Sequence, residues 1–330
     1  MSDWGKGVNN NIGWGQGGTN DIGYGSIYAD SNSGSTLLLK DNTAFIIEVD
    51  TSKAGTPSDQ FQFTGAVGDY DVVAKQNDIV VANFNDLSGA ETITLPSSGI
   101  YVLEVISKEV NGFNRINFNN SGDKLKITDI KQWGDVVWSS FERAFFRCSN
   151  MLTTATDVPN LSSVTTMTLM FRQSSANPDT SNWDVSSVTS MSNMFFDASS
   201  ANPDVSNWDV SNVTNMSLMF SDASSANPNV TNWDVSSVTD MRYMFFGVSS
   251  ANPDTTNWDV SSVTDMSFMF KGSNLSEENL TAIYENWSQL NLQQNVSFGA
   301  GNIKYNSSGQ ADRDILVNTY NWTITDGGQV

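Results

Sequence analysis

The 330-residue chain has no histidine, one cysteine and only 16 lysines and arginines against 36 aspartates and glutamates, for a formal net charge of -20. Without histidine it lacks the commonest general base, transition-metal ligand and near-neutral pH switch. Zinc hydrolases, Ser-His-Asp triads and Cys-His pairs are therefore excluded. A lone Cys148 allows no intramolecular disulfide and no thiolate cluster, and reads as a small buried hydrophobe. With so few cations to displace counterions, no nucleic-acid partner is expected. The longest apolar runs, such as Ile79-Val80-Val81-Ala82, fall far short of the ~20 residues a bilayer span needs. The opening residues Met1 to Gly7 hold neither a basic nor an apolar stretch. Neither membrane insertion nor a secretory signal is expected.

What is present divides into four pieces, together an α+β chain. Residues 1–35 are rich in Gly and Asn, with Trp4, Trp14 and Tyr24 at a spacing of ten. Periodic aromatics on a glycine-rich segment suit an extended anchor lying in grooves of a partner, the alternative being a tail packed on its own domain. Residues 36–130 alternate between short β-rich runs and clusters of Gly, Pro, Asn and Asp, which predicts an antiparallel β-sandwich of Greek-key type.

Residues 131–273 are a repeat array. Trp183, Trp208, Trp233 and Trp258 stand 25 residues apart, each opening Trp-Asp-Val-Ser. A Met-x-x-Met-Phe signature follows each and also occurs once ahead of them, at Met167, Met170 and Phe171, so ten of the twelve methionines serve one pattern. Phe141 to Cys148 reads as a degenerate first coil. Val185, Val188, Met191, Met194 and Phe195 recur at steps of three, three, three and one, which predicts one apolar side of a short helical segment. Stacked coils would bring the Trp, Met and Phe residues into apolar columns, because one coil cannot bury its own core. The Asp184, Asp209, Asp234 and Asp259 column is expected to cap that helix. Calcium is the alternative, although the dense Asp-x-Asp spacing of a calcium loop is missing. No cofactor and no metal site is assigned. Residues 274–330 leave the repeat: Leu280, Ile283, Tyr284 and Trp287 fit a helical face behind a Ser276 start, and further strand and helix signals complete an αβ cap.

The coil pattern Trp-Asp-Val-Ser-Ser-Val-Thr-x-Met-x-x-Met-Phe resembles the BspA-type leucine-rich repeats of surface proteins of bacteria and some protists and of phage structural proteins, over about Trp133 to Gly272. Phe298-Gly299-Ala300-Gly301 and Tyr320 to Gly328 are similar to the terminal unit of such proteins in bacteria and their phages, and the N-terminal Gly-Trp-Gly resembles some tailed-phage virion proteins. The resemblance implies a leucine-rich-repeat-like solenoid and an attachment role. Without an export signal, the expected place is the virion: a non-enzymatic fibre, spike or head-decoration subunit. Its partners would be other virion proteins, through the N-terminal segment, and a host-surface glycan or protein. A homo-oligomer is expected, since weak displayed sites gain from multivalency. A bacterial adhesin is the second reading and a glycan depolymerase the third, the latter disfavoured because every acidic column repeats. The candidate receptor-binding residues are those that vary between otherwise matching coils: Arg172, Phe196, Asp222, Arg242, Tyr243, Phe246 and Lys271.

Overall fold

Alternating apolar residues set the first strands. The computed structural model describes residues 43–108 and 112–330. Seven strands come first: β1 (Phe45–Asp50), β2 (Gln60–Gln62), β3 (Asp69–Gln76), β4 (Ile79–Ser88), β5 (Thr92–Thr94), β6 (Ile100–Ser107) and β7 (Ile127–Gln132). In β1, β3 and β6 every second side chain is buried, as in strands covered on one face. Asn77 and Asp78 join β3 to β4 with φ of 49° and 63°, the left-handed pair that suits a two-residue hairpin.

Five of these strands and a short β8 (Leu152–Thr153) form one sheet in the order β4-β3-β6-β1-β7-β8, antiparallel except for the last pair. The opposing layer differs from the second full sheet of a sandwich. It consists of the two-stranded β2–β5 ribbon and an irregular segment bearing Phe113, Ile116 and Phe118. Their rings do the covering: Phe63 lies 5.3 Å from Tyr70, and Phe113 lies 5.2 Å from Tyr70. A few aromatic side chains bury enough area to replace further strands. The ribbon is fastened by Lys126, fully buried, whose ammonium donates to the carbonyls of Thr56, Pro57 and Gln60 at 2.7–3.0 Å. Buried Asp123 lies 3.7 Å from it and accepts from the backbone amides of Thr56 and Gln62.

Beyond β7 the chain makes six similar coils, whose Met/Phe segments are residues 141–147, 167–173, 191–197, 216–222, 241–247 and 266–272. The helix expected here does not form; each segment is a pair of overlapping turns. In the third coil the N–H groups of Met191, Asn193, Phe195 and Asp197 donate to Asn215, Ser217, Met219 and Ser221 of the next coil at 2.8–3.0 Å. The intervening Met194 and Phe196 amides close turns onto Met191 and Asn193. Asn193 and Asp197 have φ of 58° and 55°, and the third and seventh residues of every coil are left-handed in the same way. A left-handed residue at every fourth position interrupts the helical path and leaves alternate amides directed along the stack axis, whereas a helix would consume them internally.

Two further ladders join the coils. Thr189, Thr214, Thr239 and Thr264 each donate amide and hydroxyl to the equivalent carbonyl of the preceding coil. Asn177, Asn202 and Asn227 each accept, through the side chain, the amide of the equivalent Asn one coil on. Inside, the Val, Met and Phe side chains are buried. Phe145, Phe171, Phe195, Phe220, Phe245 and Phe270 form a continuous stack at 5.6–5.7 Å with interplanar angles of 14° or less. Trp208, Trp233 and Trp258 stack in parallel at 6.3–6.4 Å, and each indole N–H donates into the preceding coil. Trp183 departs from the column: it sits edge-on to Trp133 at 5.7 Å.

The C-terminal unit imitates the next coil. It comprises α1 (Glu277–Trp287), β9 (Ser297–Gly299), a 3-10 turn (Ser307–Gly309), α2 (Gln310–Asn318) and β10 (Thr323–Thr325). The expected face of Leu280, Ile283, Tyr284 and Trp287 is buried, and the Ser276 hydroxyl caps the helix by accepting the Asn279 amide. Ser276 and Asn279 take the place of the next Asn at Asn252, and the Trp287 indole donates to Thr255 where another coil would place its tryptophan. β9 receives the Met266 and Phe270 amides, and Phe298 closes the phenylalanine stack edge-on. No helix of the described residues is long and apolar enough to cross a membrane.

Trp208→Ala should lower unfolding free energy in urea by about 3–5 kcal/mol. Lys126→Met, which strands Asp123 in the interior, should cost about 3–5 kcal/mol. Excising residues 208–232, one whole coil, should leave a cooperatively folded protein, whereas a 12-residue excision at the same place should not fold.

Candidate functional site: the outer turn of the coils

Within each Met/Phe segment the first, fourth and fifth residues enter the core, while the third and sixth stay at least partly exposed, apart from the buried Ser221. Stacking converts these positions into two rows. The third-position row reads Arg143, Leu169, Asn193, Leu218, Tyr243, Phe268; the sixth-position row reads Phe146, Arg172, Phe196, Ser221, Phe246, Lys271. The same register that builds the core therefore lines up whatever the sequence places at these two sites.

The sixth row interleaves cations with aromatic rings. The Arg172 guanidinium carbon lies 5.4 Å from the Phe146 ring centre and 4.5 Å from that of Phe196. Burial, then the charge of Arg147, hold the Arg172 pKa below its ordinary value. At the other end the Lys271 ammonium lies 5.9 Å from the Phe246 centroid and 5.4 Å from that of Phe268. Tyr243 stacks on Phe268 at 4.9 Å and meets Phe246 edge-on at 5.5 Å. Such contacts each contribute on the order of 0.5–1 kcal/mol at exposed positions.

The structure thus brings Arg172 and Phe196 together at one end of the ridge, and Tyr243, Phe246 and Lys271 together at the other. Phe196 and Phe246 are half-buried and stand outside the continuous core. Asp222 occupies the neighbouring seventh position, where it packs against Gly247: a Cβ on that glycine would lie 2.3 Å from the Asp222 carboxylate. Arg242 is exposed and pairs with Asp240 at 3.4 Å instead of joining the rings. Trp4, Trp14 and Tyr24 lie outside the described residues. Sequence reading missed Phe146 and Phe268. Both sit at varying positions of the same register, and aligning Met-x-x-Met would have placed Phe268 beside Tyr243.

The Asp column has a local role. With no helix to cap, Asp184, Asp209 and Asp234 each accept the amide and hydroxyl of the serine two residues on, and Asp259 accepts the Ser261 amide. These are Asx turns, with the carboxylate oxygen occupied by its own loop. Among the described residues no group of three or more acidic or cysteine side chains is placed to hold a metal ion. Cys148 is fully buried and its thiol pKa is pushed up by that burial.

A family profile described as "Mycoplasma protein of unknown function, DUF285" matches residues 139–254 and 201–307, together just over half of the chain. No curated protein and no solved structure matches it.

The carboxylates of Asp179, Asp184, Asp204 and Asp234 are held below the ordinary 3.8, first by their serine hydroxyls and then by the serine amides. A depressed folded pKa adds stability above the unfolded value that is lost as pH falls through the folded one. Asp240, raised by burial, acts in the opposite sense. The urea midpoint should therefore hold from pH 6 to about pH 4.5 and fall below it. Replacing Ser181, Ser186, Ser206 and Ser236 by Ala should flatten that fall; a midpoint that rises on acidification contradicts the assignment.

Proposed function

We propose, for a chain that belongs to the DUF285 family through its coils, a non-enzymatic attachment role: a surface-displayed repeat solenoid that presents its outer-turn ridge to a host-surface glycan or protein. The observation that carries this reading is where the repeat departs from itself. Core, Asn, Thr and Asp positions are reiterated from coil to coil, while aromatic and cationic substitutions gather on one partly exposed face. Stability alone would be met by a small polar residue such as the one that fills the same row at Asn193. Aromatics with cations on an otherwise acidic surface form a contact patch.

The display setting we assign is a virion fibre, spike or head decoration, anchored to other virion proteins by the N-terminal segment and repeated in a homo-oligomer so that weak sites act together. A bacterial surface adhesin would use the same ridge. Immunogold labelling of particles against whole bacteria separates the two. Binding is favoured over glycan hydrolysis because the repeated carboxylates are engaged in their own turns.

Arg242→Ala, Tyr243→Ala and Phe246→Ala combined should reduce attachment of the purified protein to host cells at least tenfold, with circular dichroism unchanged. Undiminished attachment by that folded variant removes the ridge from the function.

A further inference from the structure

A cavity of about 370 Å³ opens where the last coil meets the C-terminal unit, lined by Ser267, Phe268, Lys271, Phe298, Thr323 and Thr325 among others. It exists because β9 is shorter than the segment it imitates. In earlier coils the third-position amide donates onward, Leu218 to Arg242 and Tyr243 to Ser267. β9 crosses below with only Ser297-Phe298-Gly299, so the Phe268 amide has no acceptor and its ring, 41 % exposed, overhangs the space. Gly299 makes the close crossing: a Cβ there would lie 2.3 Å from the Phe268 nitrogen.

Three features of this cavity specify an occupant. Among the described residues no aspartate or glutamate lines it, in a chain of net charge -20, and the Lys271 ammonium, which rests against the Phe246 and Phe268 rings, makes no ion pair or hydrogen bond. The remaining polar lining is hydroxyl and amide, from Ser267, Ser297, Thr323, Thr325 and Asn302, beside one exposed aromatic face. We infer that the cavity takes one acidic monosaccharide of a surface glycan, a uronate or a sulfated sugar. Its anion meets Lys271, its C–H face lies on Phe268, and its hydroxyls meet the Ser and Thr side chains. The volume is at the lower end of ligand sites and suits a single substituted pyranose. An acidic peptide would use the cation and leave the aromatic face and the hydroxyls unmatched.

This inference rests on the attachment reading and narrows it. The test titrates the full chain by calorimetry with tri-galacturonate, a sulfated chondroitin tetrasaccharide, neutral cellotetraose and a tetraglutamate peptide. Binding to one or both acidic sugars, weakened at least tenfold by Lys271→Gln and by Phe268→Ala and retained by Lys271→Arg, is the expected result. The first two probes separate carboxylate from sulfate. No binding to either acidic sugar, equal binding of cellotetraose or tetraglutamate, or unchanged binding by Lys271→Gln each overturns it. If no acidic sugar binds while the ridge triple variant still loses cell attachment, the cavity assignment fails and the attachment role stands. If acidic sugar binds and the triple variant attaches normally, the cavity assignment stands and the ridge is removed from the attachment surface.

Discussion

Each coil holds the next through four backbone N–H groups released from local bonding by a left-handed residue at every fourth position of its Met/Phe segment. Side chains such as Leu218, Tyr243 and Phe268 take left-handed φ at 55–57°, a conformation that is uncommon for bulky residues. The strain is tolerated because the alternative leaves alternate amides pointing away from any acceptor. Once the hands are fixed, the separation between coils is fixed too, and the phenylalanine stack at 5.6–5.7 Å follows from it. The outward rows are then equally fixed, so the ridge has the rigidity of the core it grows from.

The ends of the stack meet the same demand differently. At the start, β7 pairs with β8 of the first coil, so the sheet's hydrogen bonding continues into the array. Phe45, Trp133, Trp138 and Phe141 pack together at centroid distances of 4.9–6.1 Å, joining the two cores. At the far end, α1 and β9 copy only those parts of a coil that must accept or cover: the Asn ladder, the Trp position and part of the amide ladder. The turn that no longer has a neighbour is left uncopied, and the cavity beside Phe268 is its consequence.

Charge is distributed with similar economy. Between Asn182 and Lys271 there are ten acidic residues and two basic ones, and most of those carboxylates serve their own turns. Against this background Lys271 has no carboxylate partner among the described residues, while Arg242 has one in Asp240. The positive character of the last turn is therefore local and concentrated where the aromatic rings are.

The order of residues was enough to set which side chains compose each layer. Alternation placed Phe45, Ile47 and Val49 on the covered face of β1, the step of 25 put Trp208, Trp233 and Trp258 in one column, and Ser276 with Leu280 and Trp287 marked the capped helix. It also identified Arg172, Phe196, Tyr243, Phe246 and Lys271 as departures from the repeat. It did not determine the backbone hand within the coil. A three-residue spacing of apolar side chains is satisfied by a helix or by overlapping turns, and the choice depends on hydrogen bonds to a neighbouring coil that lies about 25 residues away. For the same reason Trp183 turned toward Trp133, Lys126 found its carbonyl cage 66–70 residues back, and Phe268 gained an empty space beneath it. These depend on which non-local segment arrives at a given side chain, and only the packed chain decides that.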